Sequence, residues 1–199
     1  MFQDFVTSYL AGVRACQEEL SREKLERAMQ LVTQAYEQGR RIFILGNGGS
    51  ASTSSHMACD LGKGTSVSGQ PRARVISLAD NMALLSAWAN DASYEVVFAE
   101  QLANLLEPGD VVIGISASGN SPNVLRAIEY AREHGAITIG FIGFGGGRLK
   151  GLVDIDLTVS SKNYGQVEDV HLSLNHIFSQ YLKQWIEAKA PSRGAASAH

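Results

Sequence analysis

Several features are scarce or missing in this 199-residue chain. It has two cysteines, Cys16 and Cys59, which are too few for a disulfide framework. No apolar run approaches the roughly 18 residues that a membrane helix needs, and the first residues lack the basic stretch and apolar core of a signal peptide. Lysine and arginine are not clustered, which argues against a nucleic-acid-binding surface. These absences predict a soluble cytoplasmic protein with neither a membrane nor a nucleic acid as its partner.

The composition is that of an ordinary folded domain. Hydrophobic residues make up 45% of the chain and charged residues 19%, which excludes a disordered chain. The length fits one domain. We place this domain at residues 1–189, with a helical extension over residues 1–39. Small and polar residues fill positions 190–199, which we expect to form a flexible tail.

Hydrophobic periodicity predicts an α/β fold. Apolar residues recur at helical spacing twice before Gly39, so two amphipathic helices open the chain. Short apolar, β-branched runs then alternate with helical stretches, and the helix at the end covers about 167–188. The predicted strands are residues 41–45, 74–78, 111–115, 136–142 and 155–159. Strands separated by helices in this way indicate a parallel sheet that is covered on both faces.

Two loops rich in glycine and serine follow the first and third predicted strands. Residues 46–52 read GNGGSAS, and residues 116–122 read SASGNSP. Each loop lies where a strand meets the start of a helix, and free N–H groups at a helix start attract anions. Ser121 and Pro122 suit the cap and first turn of a helix, which leaves Ser116 and Ser118 without a structural duty. The two loops therefore predict a phosphate site.

Two other interpretations of these loops stay open at this point. Glycine and serine after a strand are also ordinary turn residues. The first loop also satisfies the dinucleotide pattern G-x-G-x-x-G/A, with Asp80 as a candidate ribose ligand, although Asp80 lies later than the pattern expects. Neither loop carries the lysine of the triphosphatase motif. We expect a phosphate monoester as ligand and no nucleotide cofactor.

Histidines and carboxylates lie in two helical segments. His56 and Asp60 are four residues apart and share a helix face, while Glu168 and His176 are eight residues apart on the final helix. Imidazoles and carboxylates beside a phosphate site suit proton transfer next to a sugar carbonyl, and the same four groups suit Zn²⁺. Each pair also has a plain interpretation as a solvated contact between neighbours on a helix.

Three motifs resemble the sugar isomerase (SIS) domain family, and within it the phosphoheptose isomerases. They are GNGGS at 46–50, Asn90-Asp91, and SASGNS at 116–121. The resemblance covers nearly the whole chain. It implies a three-layer, flavodoxin-like fold with a five-stranded parallel sheet, preceded by two helices and closed by a C-terminal helix. It also implies a homotetramer with its sites between subunits.

The resemblance further implies an activity and a set of site residues. The activity is the interconversion of a ketose phosphate and an aldose phosphate, sedoheptulose 7-phosphate and D-glycero-D-manno-heptose 7-phosphate, for bacterial surface polysaccharide precursors such as those of lipopolysaccharide. The implied catalytic residues are Asp60, Glu168 and His176. The implied ligands of a zinc ion are His56, Asp60, Glu168 and His176. The implied substrate-binding residues are Asn47, Gly48, Gly49, Ser50, Asn90, Asp91, Ser116, Ala117, Ser118, Ser121 and Glu168.

The sequence departs from the family pattern at four positions. Asp60 stands where the family has Glu and Glu168 where it has Gln, while Gly64 and Gly165 stand near the places of an expected Arg and Asp. Asp withdraws its carboxylate by about 1.5 Å relative to Glu. We expect Glu168 to compensate, as the base or as a metal ligand. The alternative is a non-catalytic phosphosugar-binding or protein-binding regulator, of the type that associates with the replication initiator.

Overall fold

A five-stranded parallel sheet forms the centre of the protein. The computed structural model describes residues 1–190. The order of the strands is β2-β1-β3-β4-β5, and every neighbouring pair is parallel. Their bounds are β1 Arg41–Gly46, β2 Arg74–Ser77, β3 Val111–Ser116, β4 Ile137–Ile142 and β5 Ile155–Thr158. The predicted α/β class and parallel sheet are confirmed, with strand bounds shifted by one residue at most.

Helices connect the strands and lie on both faces of the sheet. They are α1 Phe2–Glu18, α2 Arg22–Glu37, α3 Gly49–Cys59, α4 Met82–Asp91, α5 Ala99–Leu105, α6 Pro122–Glu133 and α7 Tyr164–Lys189. A π-helical turn, Asp60–Gly64, continues α3, and a 3₁₀ turn covers Leu149–Gly151. α7 begins three residues before the predicted start at Val167, because the side chain of Asn163 caps it by accepting a hydrogen bond from the Gln166 N–H.

Alternate side chains of each strand enter different layers, as the pleat of a strand requires. Ile42 and Ile44 are buried in the layer formed by α2, α3 and α7. Phe43 and Leu45 are buried on the opposite face with α5 and α6. The three-layer arrangement and the strand order are those of the flavodoxin-like fold, as predicted.

The two leading helices have different roles. α2 packs on the sheet through a buried apolar stripe that includes Leu25, Met29 and Val32. Most of α1 is exposed, and it packs on α7, where the Tyr9 hydroxyl donates a hydrogen bond to Asp169 at 2.7 Å. Within residues 1–190, the structure contains no helix with the length and apolar character needed to cross a membrane. Of the predicted tail at 190–199, all but Ala190 lies outside the described residues.

The strand order reverses between β1 and β3, which are neighbours in the sheet. The chain leaves β1 toward α3 on one face and leaves β3 toward α6 on the other. Open α/β sheets bind ligands at such a switch point, outside the carboxyl ends of the strands. Both glycine- and serine-rich loops lie at this point.

Candidate active site

The loops after β1 and β3 form one of the pockets of the described structure, which we call the loop pocket. It combines predicted residues of both loops with two residues from the start of α7. Its lining consists of Asn47, Ser50, Ile115, Ser116, Ala117, Ser118, Ser121, Tyr164 and Glu168. Gly48 precedes α3 with φ +55°, which suits glycine, and Gly49 is the first residue of that helix. The first turn of α3 therefore presents backbone N–H groups beside this pocket.

The serines of the second loop do have structural duties, so the expectation that Ser116 and Ser118 lack them is wrong. The Ser116 hydroxyl accepts a hydrogen bond from the Gly119 N–H at 3.1 Å, and the Ser118 hydroxyl accepts one from the Asn120 N–H at 3.2 Å. Among the described residues, the Ser121 side chain caps no backbone group and instead lies 3.3 Å from the Ser116 hydroxyl. A hydroxyl that accepts from the backbone keeps its own proton to donate to an anion.

A reciprocal amide pair joins the two loops. Asn47 Nδ2 donates to Asn123 Oδ1 at 2.8 Å, and Asn123 Nδ2 donates to Asn47 Oδ1 at 2.9 Å. Asn123 is buried in the first turn of α6, and the Tyr94 hydroxyl also donates to Asn47 Oδ1 at 2.9 Å. Sequence reasoning missed Asn123 and Tyr94. The available signal was a polar side chain, Asn123, two residues after Ser121, but its partner Asn47 lies 76 residues away in the sequence.

The glycine-rich segment after β4 supports the second loop. Gly119 has φ +64°, and a Cβ there would lie 2.1 Å from the carbonyl oxygen of Gly146. The Leu149 N–H donates to the Gly119 carbonyl at 2.9 Å, and the Arg148 N–H donates to Asn120 Oδ1 at 3.0 Å. Glycine is therefore required at 119 by both its backbone conformation and this close approach.

The carboxylate of Glu168 lies beside the start of α3. A Cβ at Gly49 would lie 2.4 Å from Glu168 Oε1, so glycine leaves the space that this carboxylate fills. The positive end of the α3 dipole favours an anionic group at this position.

A second pocket contains three residues that we call the histidine cluster: His56, Asp60 and His176. Asp60 Oδ2 lies 3.3 Å from His56 Nε2 and 3.8 Å from His176 Nε2. Asn175 Nδ2 donates to the same oxygen at 3.0 Å. About a quarter of the Asp60 side chain is exposed, and nearly half of each imidazole. The cluster therefore lies at the surface of this chain, where a ligand can reach it.

The donor set of the histidine cluster fits a divalent metal ion. One ligand atom from each of the three residues lies within 4.8 Å of the other two. Tetrahedral Zn²⁺ with bonds of about 2.0–2.1 Å requires ligand atoms about 3.3 Å apart. The separation of 3.3 Å between His56 Nε2 and Asp60 Oδ2 matches this value, and that of 3.8 Å between His176 Nε2 and Asp60 Oδ2 needs only a small side-chain adjustment. Two imidazoles and one carboxylate with a fourth position open is a common catalytic zinc arrangement.

Local backbone structure places Asp60 in this cluster. It is the first residue of the π-helical turn, and its N–H bonds to the carbonyls of both His56 and Met57. His56 and Asp60 therefore keep their four-residue spacing on one face before the turn widens. Such π-helical insertions are frequent at functional sites.

The predicted site residues fall in different places. The structure brings His56, Asp60 and His176 together. Glu168 lies about 12 Å from His176 along the axis of α7, and its side chain lines the loop pocket instead of joining this cluster. Asn90 and Asp91 end the exposed helix α4, where Asn90 Nδ2 donates to Asp91 Oδ1 at 2.8 Å. They line neither of these two pockets within the part of the chain that the structure describes.

The family departures at Gly64 and Gly165 have different surroundings. Gly64 lines the pocket of the histidine cluster, and among the described atoms a Cβ there would have no neighbour within 4 Å. Lys183 of α7 lines the same pocket and brings a cation that sequence reasoning missed. At Gly165, a Cβ would lie 2.7 Å from the Tyr9 hydroxyl, so α1 occupies the space of a side chain.

His171 lies in the core, away from the histidine cluster. It is 1% exposed and packs against Phe141, with 6.1 Å between ring centroids. Burial lowers the pKa of His171 to about 4, and the backbone of Ile142 acts in the opposite direction. The imidazole is therefore neutral at physiological pH.

The comparisons with known proteins fit this geometry. The family model of the SIS domain matches residues 4–143. A phosphoheptose isomerase from Crocosphaera subtropica is 38% identical over 166 residues, which is 83% of this chain and 84% of that protein. The chain belongs to the SIS domain family, among the phosphoheptose isomerases.

Further relatives support the assignment of this SIS domain. A phosphoheptose isomerase from Trichlorobacter lovleyi is 36% identical over 176 residues, which is 88% of this chain and 89% of that protein. The solved structure of a phosphoheptose isomerase from Neisseria gonorrhoeae matches with a TM-score of 0.85 and 27% identity, over 92% of this chain and all of that one. The structural similarity therefore extends over most of this chain.

Proposed function

We propose that this SIS domain is an aldose–ketose isomerase that interconverts sedoheptulose 7-phosphate and D-glycero-D-manno-heptose 7-phosphate. The observation that carries the proposal is the placement of two complementary pockets along one pair of helices. Glu168 lies beside Gly49, and His176 lies beside Asp60, so α3 and α7 run in the same direction. An anion pocket at their start and an acid–base cluster farther along suit the two ends of one sugar phosphate.

The distance between the two pockets supports a long sugar. Gly49 and His56 are seven residues apart, which is about 10 Å along the axis of α3. An extended seven-carbon chain with C–C bonds of about 1.5 Å reaches roughly 8 Å, and the phosphate ester extends it further. A phosphate in the loop pocket then leaves C1 and C2 close to the histidine cluster.

The loop pocket is the proposed phosphate site. Hydroxyls of Ser116, Ser118 and Ser121 and the first N–H groups of α3 supply donors without a positively charged side chain. We infer that Asn47 and Ser50 contact the same end of the sugar. The glycines at 48 and 49 let the anion approach the backbone, and Ala117 provides a small lining group.

Asp60, His176 and Glu168 are the proposed catalytic residues. Isomerisation moves a proton between C1 and C2 while a second proton moves between the two sugar oxygens. In the metal-free form of our proposal, the Asp60 carboxylate takes the proton from C1 while His176 protonates the carbonyl oxygen at C2. Asp60 then returns its proton to C2 while His176 takes the proton of the C1 hydroxyl, which completes the exchange. Entry of a phosphate repels the Glu168 carboxylate from Gly49 toward the sugar carbons, where it assists the shorter Asp60.

With a metal bound, His56, Asp60 and His176 would be its ligands instead of proton-transfer groups, and Glu168, when it turns away from Gly49, would serve either as the base or as a fourth ligand. A Zn²⁺ ion bound there would polarise the substrate carbonyl. The fit of the three donor atoms supports this assignment. The alternative of a non-catalytic regulator is not favoured, because the relatives are isomerases and two residues able to transfer protons lie in one cluster.

A homotetramer with sites between subunits is the proposed assembly. Exposed apolar side chains on three helices support it: Phe2, Phe5 and Leu10 on α1, Met82 and Leu84 on α4, and Ile177 and Tyr181 on α7. Large exposed apolar groups commonly mark protein interfaces. Asn90 and Asp91 would then contact substrate in the site of a neighbouring copy. The predicted cytoplasmic location is part of the same proposal.

The test is turnover of a panel of ketose phosphates, followed by NMR with and without chelator. The proposal is supported if the wild type interconverts sedoheptulose 7-phosphate and both Asp60→Ala and His176→Ala lose this activity. Loss on chelation and recovery with Zn²⁺ would establish the metal. Thermal stabilisation by a sugar phosphate without any turnover would instead favour the binding protein.

A further inference from the structure

Asn175 is a fully buried amide in the apolar stripe of α7. Its relative exposure is 0%, and Leu174 and Phe178 of the same helix are also buried. Burying an amide without full hydrogen bonding is unfavourable. Leucine or isoleucine would fill a similar volume without that cost, so core packing alone does not explain the asparagine.

One side of this amide is committed to Asp60. Asn175 Nδ2 donates to Asp60 Oδ2 at 3.0 Å, and an ionised carboxylate can only accept, so the nitrogen must face it. Among the described residues, Asn175 Oδ1 has no hydrogen-bond partner. The side chain thus leaves one polar atom unsatisfied while it holds the carboxylate.

The same carboxylate oxygen faces both imidazoles of the histidine cluster. Asp60 Oδ2 lies 3.3 Å from His56 Nε2 and 3.8 Å from His176 Nε2. Asn175 approaches this oxygen from the core, whereas the imidazoles approach from the partly exposed side. The amide therefore restricts rotation of the carboxylate and keeps Oδ2 toward the two rings.

We infer that Asn175 is a positioning residue that orients Asp60 for metal binding and proton transfer. This inference rests on the proposed function, because it assigns a role to the second layer of that site. Asn175 itself does not touch the substrate. Asn175 adjoins His176 in the sequence. One turn of α7 therefore supplies both an imidazole of the histidine cluster and the amide that orients the Asp60 carboxylate.

The test is Asn175→Leu in the full chain, measured by Zn²⁺ titration calorimetry and by steady-state kinetics. Loss of an outer hydrogen bond to a metal ligand typically weakens metal affinity or activity by about 10-fold to 100-fold. We expect Zn²⁺ affinity and kcat to fall in that range, with KM for the sugar phosphate changed less than about twofold. The melting temperature should stay the same or rise, because water can replace the lost donor at the partly exposed Asp60.

The matched control is Gln101→Leu, which removes a buried amide on the opposite face of the sheet. Gln101 is 3% exposed and donates to the carbonyls of Leu78 and Val97. This variant should lower the melting temperature and leave Zn²⁺ affinity unchanged. A purely structural role of Asn175 predicts the same pattern for Asn175→Leu, and that result would overturn the inference.

A double-mutant cycle isolates the contact. In the Asp60→Ala background, Asn175→Leu should cause no further loss of Zn²⁺ affinity, because its effect passes through the missing carboxylate. An equal loss in both backgrounds would overturn the inference. If the wild type is active and Asn175→Leu has the same Zn²⁺ affinity and kcat, the positioning role is refuted and the proposed function stands. A wild type with neither turnover nor Zn²⁺ binding refutes the proposed function, and the positioning role with it.

Discussion

Glu168 and Gly49 are in direct contact, although they belong to different helices. A methyl group on Gly49 would lie 2.4 Å from the Glu168 carboxylate. The carboxylate thus occupies the start of α3, where the phosphate of the substrate is proposed to bind. Anion binding and the position of Glu168 are therefore coupled.

Gly49→Ala should weaken phosphosugar binding by at least about tenfold, or about 1.4 kcal/mol. The added methyl group displaces the flexible end of Glu168 and narrows the approach of an anion to the backbone. Folding should not suffer, because alanine favours a helix more than glycine does. Titration calorimetry with the sugar phosphate checks the first effect and thermal unfolding the second. Gly151→Ala is the control, since no described atom lies within 4 Å of its Cβ position.

Glu168→Gln should lower both kcat and KM. Glutamine keeps the shape but cannot carry the proton, and loss of general acid–base catalysis typically costs on the order of 10²–10⁴ in rate. KM should fall because the like charge beside the phosphate is removed. Steady-state kinetics with parallel metal analysis checks this. Unchanged kcat together with unchanged bound metal would contradict the role proposed for Glu168.

Ser121→Ala should separate binding from stability. The hydroxyl lies in the loop pocket but caps no backbone group of α6 in the described structure. We expect the unfolding free energy to change by less than about 0.5 kcal/mol, while phosphosugar affinity falls several-fold. Urea unfolding and titration calorimetry measure the two effects. Ser86→Ala on α4, whose hydroxyl bonds the Ala83 carbonyl, should affect neither.

His171 should make stability depend on pH. Its folded pKa of about 4 lies below the ordinary value of 6.5, so the unfolded chain binds the proton more strongly. Its contribution is fully present above about pH 6.5 and is lost as the pH falls toward 4, with about 2 kcal/mol lost between about pH 7.5 and pH 5.

The measurement is urea unfolding at those two pH values. His171→Leu should show a pH dependence smaller by this amount, whereas His134→Gln, at the exposed end of α6, should retain that of the wild type. Equal pH dependence in the wild type and His171→Leu would show that the buried imidazole does not resist protonation.

The sequence predicted those parts of the structure that depend on local patterns. The strands follow from short apolar runs, and the loops at 46–52 and 116–122 from the glycines and serines that end β1 and β3. His56 and Asp60 share a face because helical spacing requires it. These features need few contacts between distant segments.

The remaining features depend on tertiary contacts. Ser116 and Ser118 bond backbone groups of their own loop, whose path depends on packing against Gly146 and Leu149. Spacing alone could not show that Glu168 turns toward Gly49, because its long side chain can reach more than one partner. Asn175 did carry a signal, since an amide interrupts the apolar stripe of the last helix, but its partner Asp60 lies 115 residues away.

The reciprocal bonds between Asn47 and Asn123 have a consequence for the kinetics of association. The two amides hold the loops in one arrangement before any ligand binds. The loops therefore lose their conformational entropy during folding rather than during ligand binding. Phosphate capture should then require no loop closure, and rapid mixing with inorganic phosphate should give a single phase whose rate rises linearly with concentration. Asn123→Ala, which removes these bonds, should introduce a slower phase that saturates.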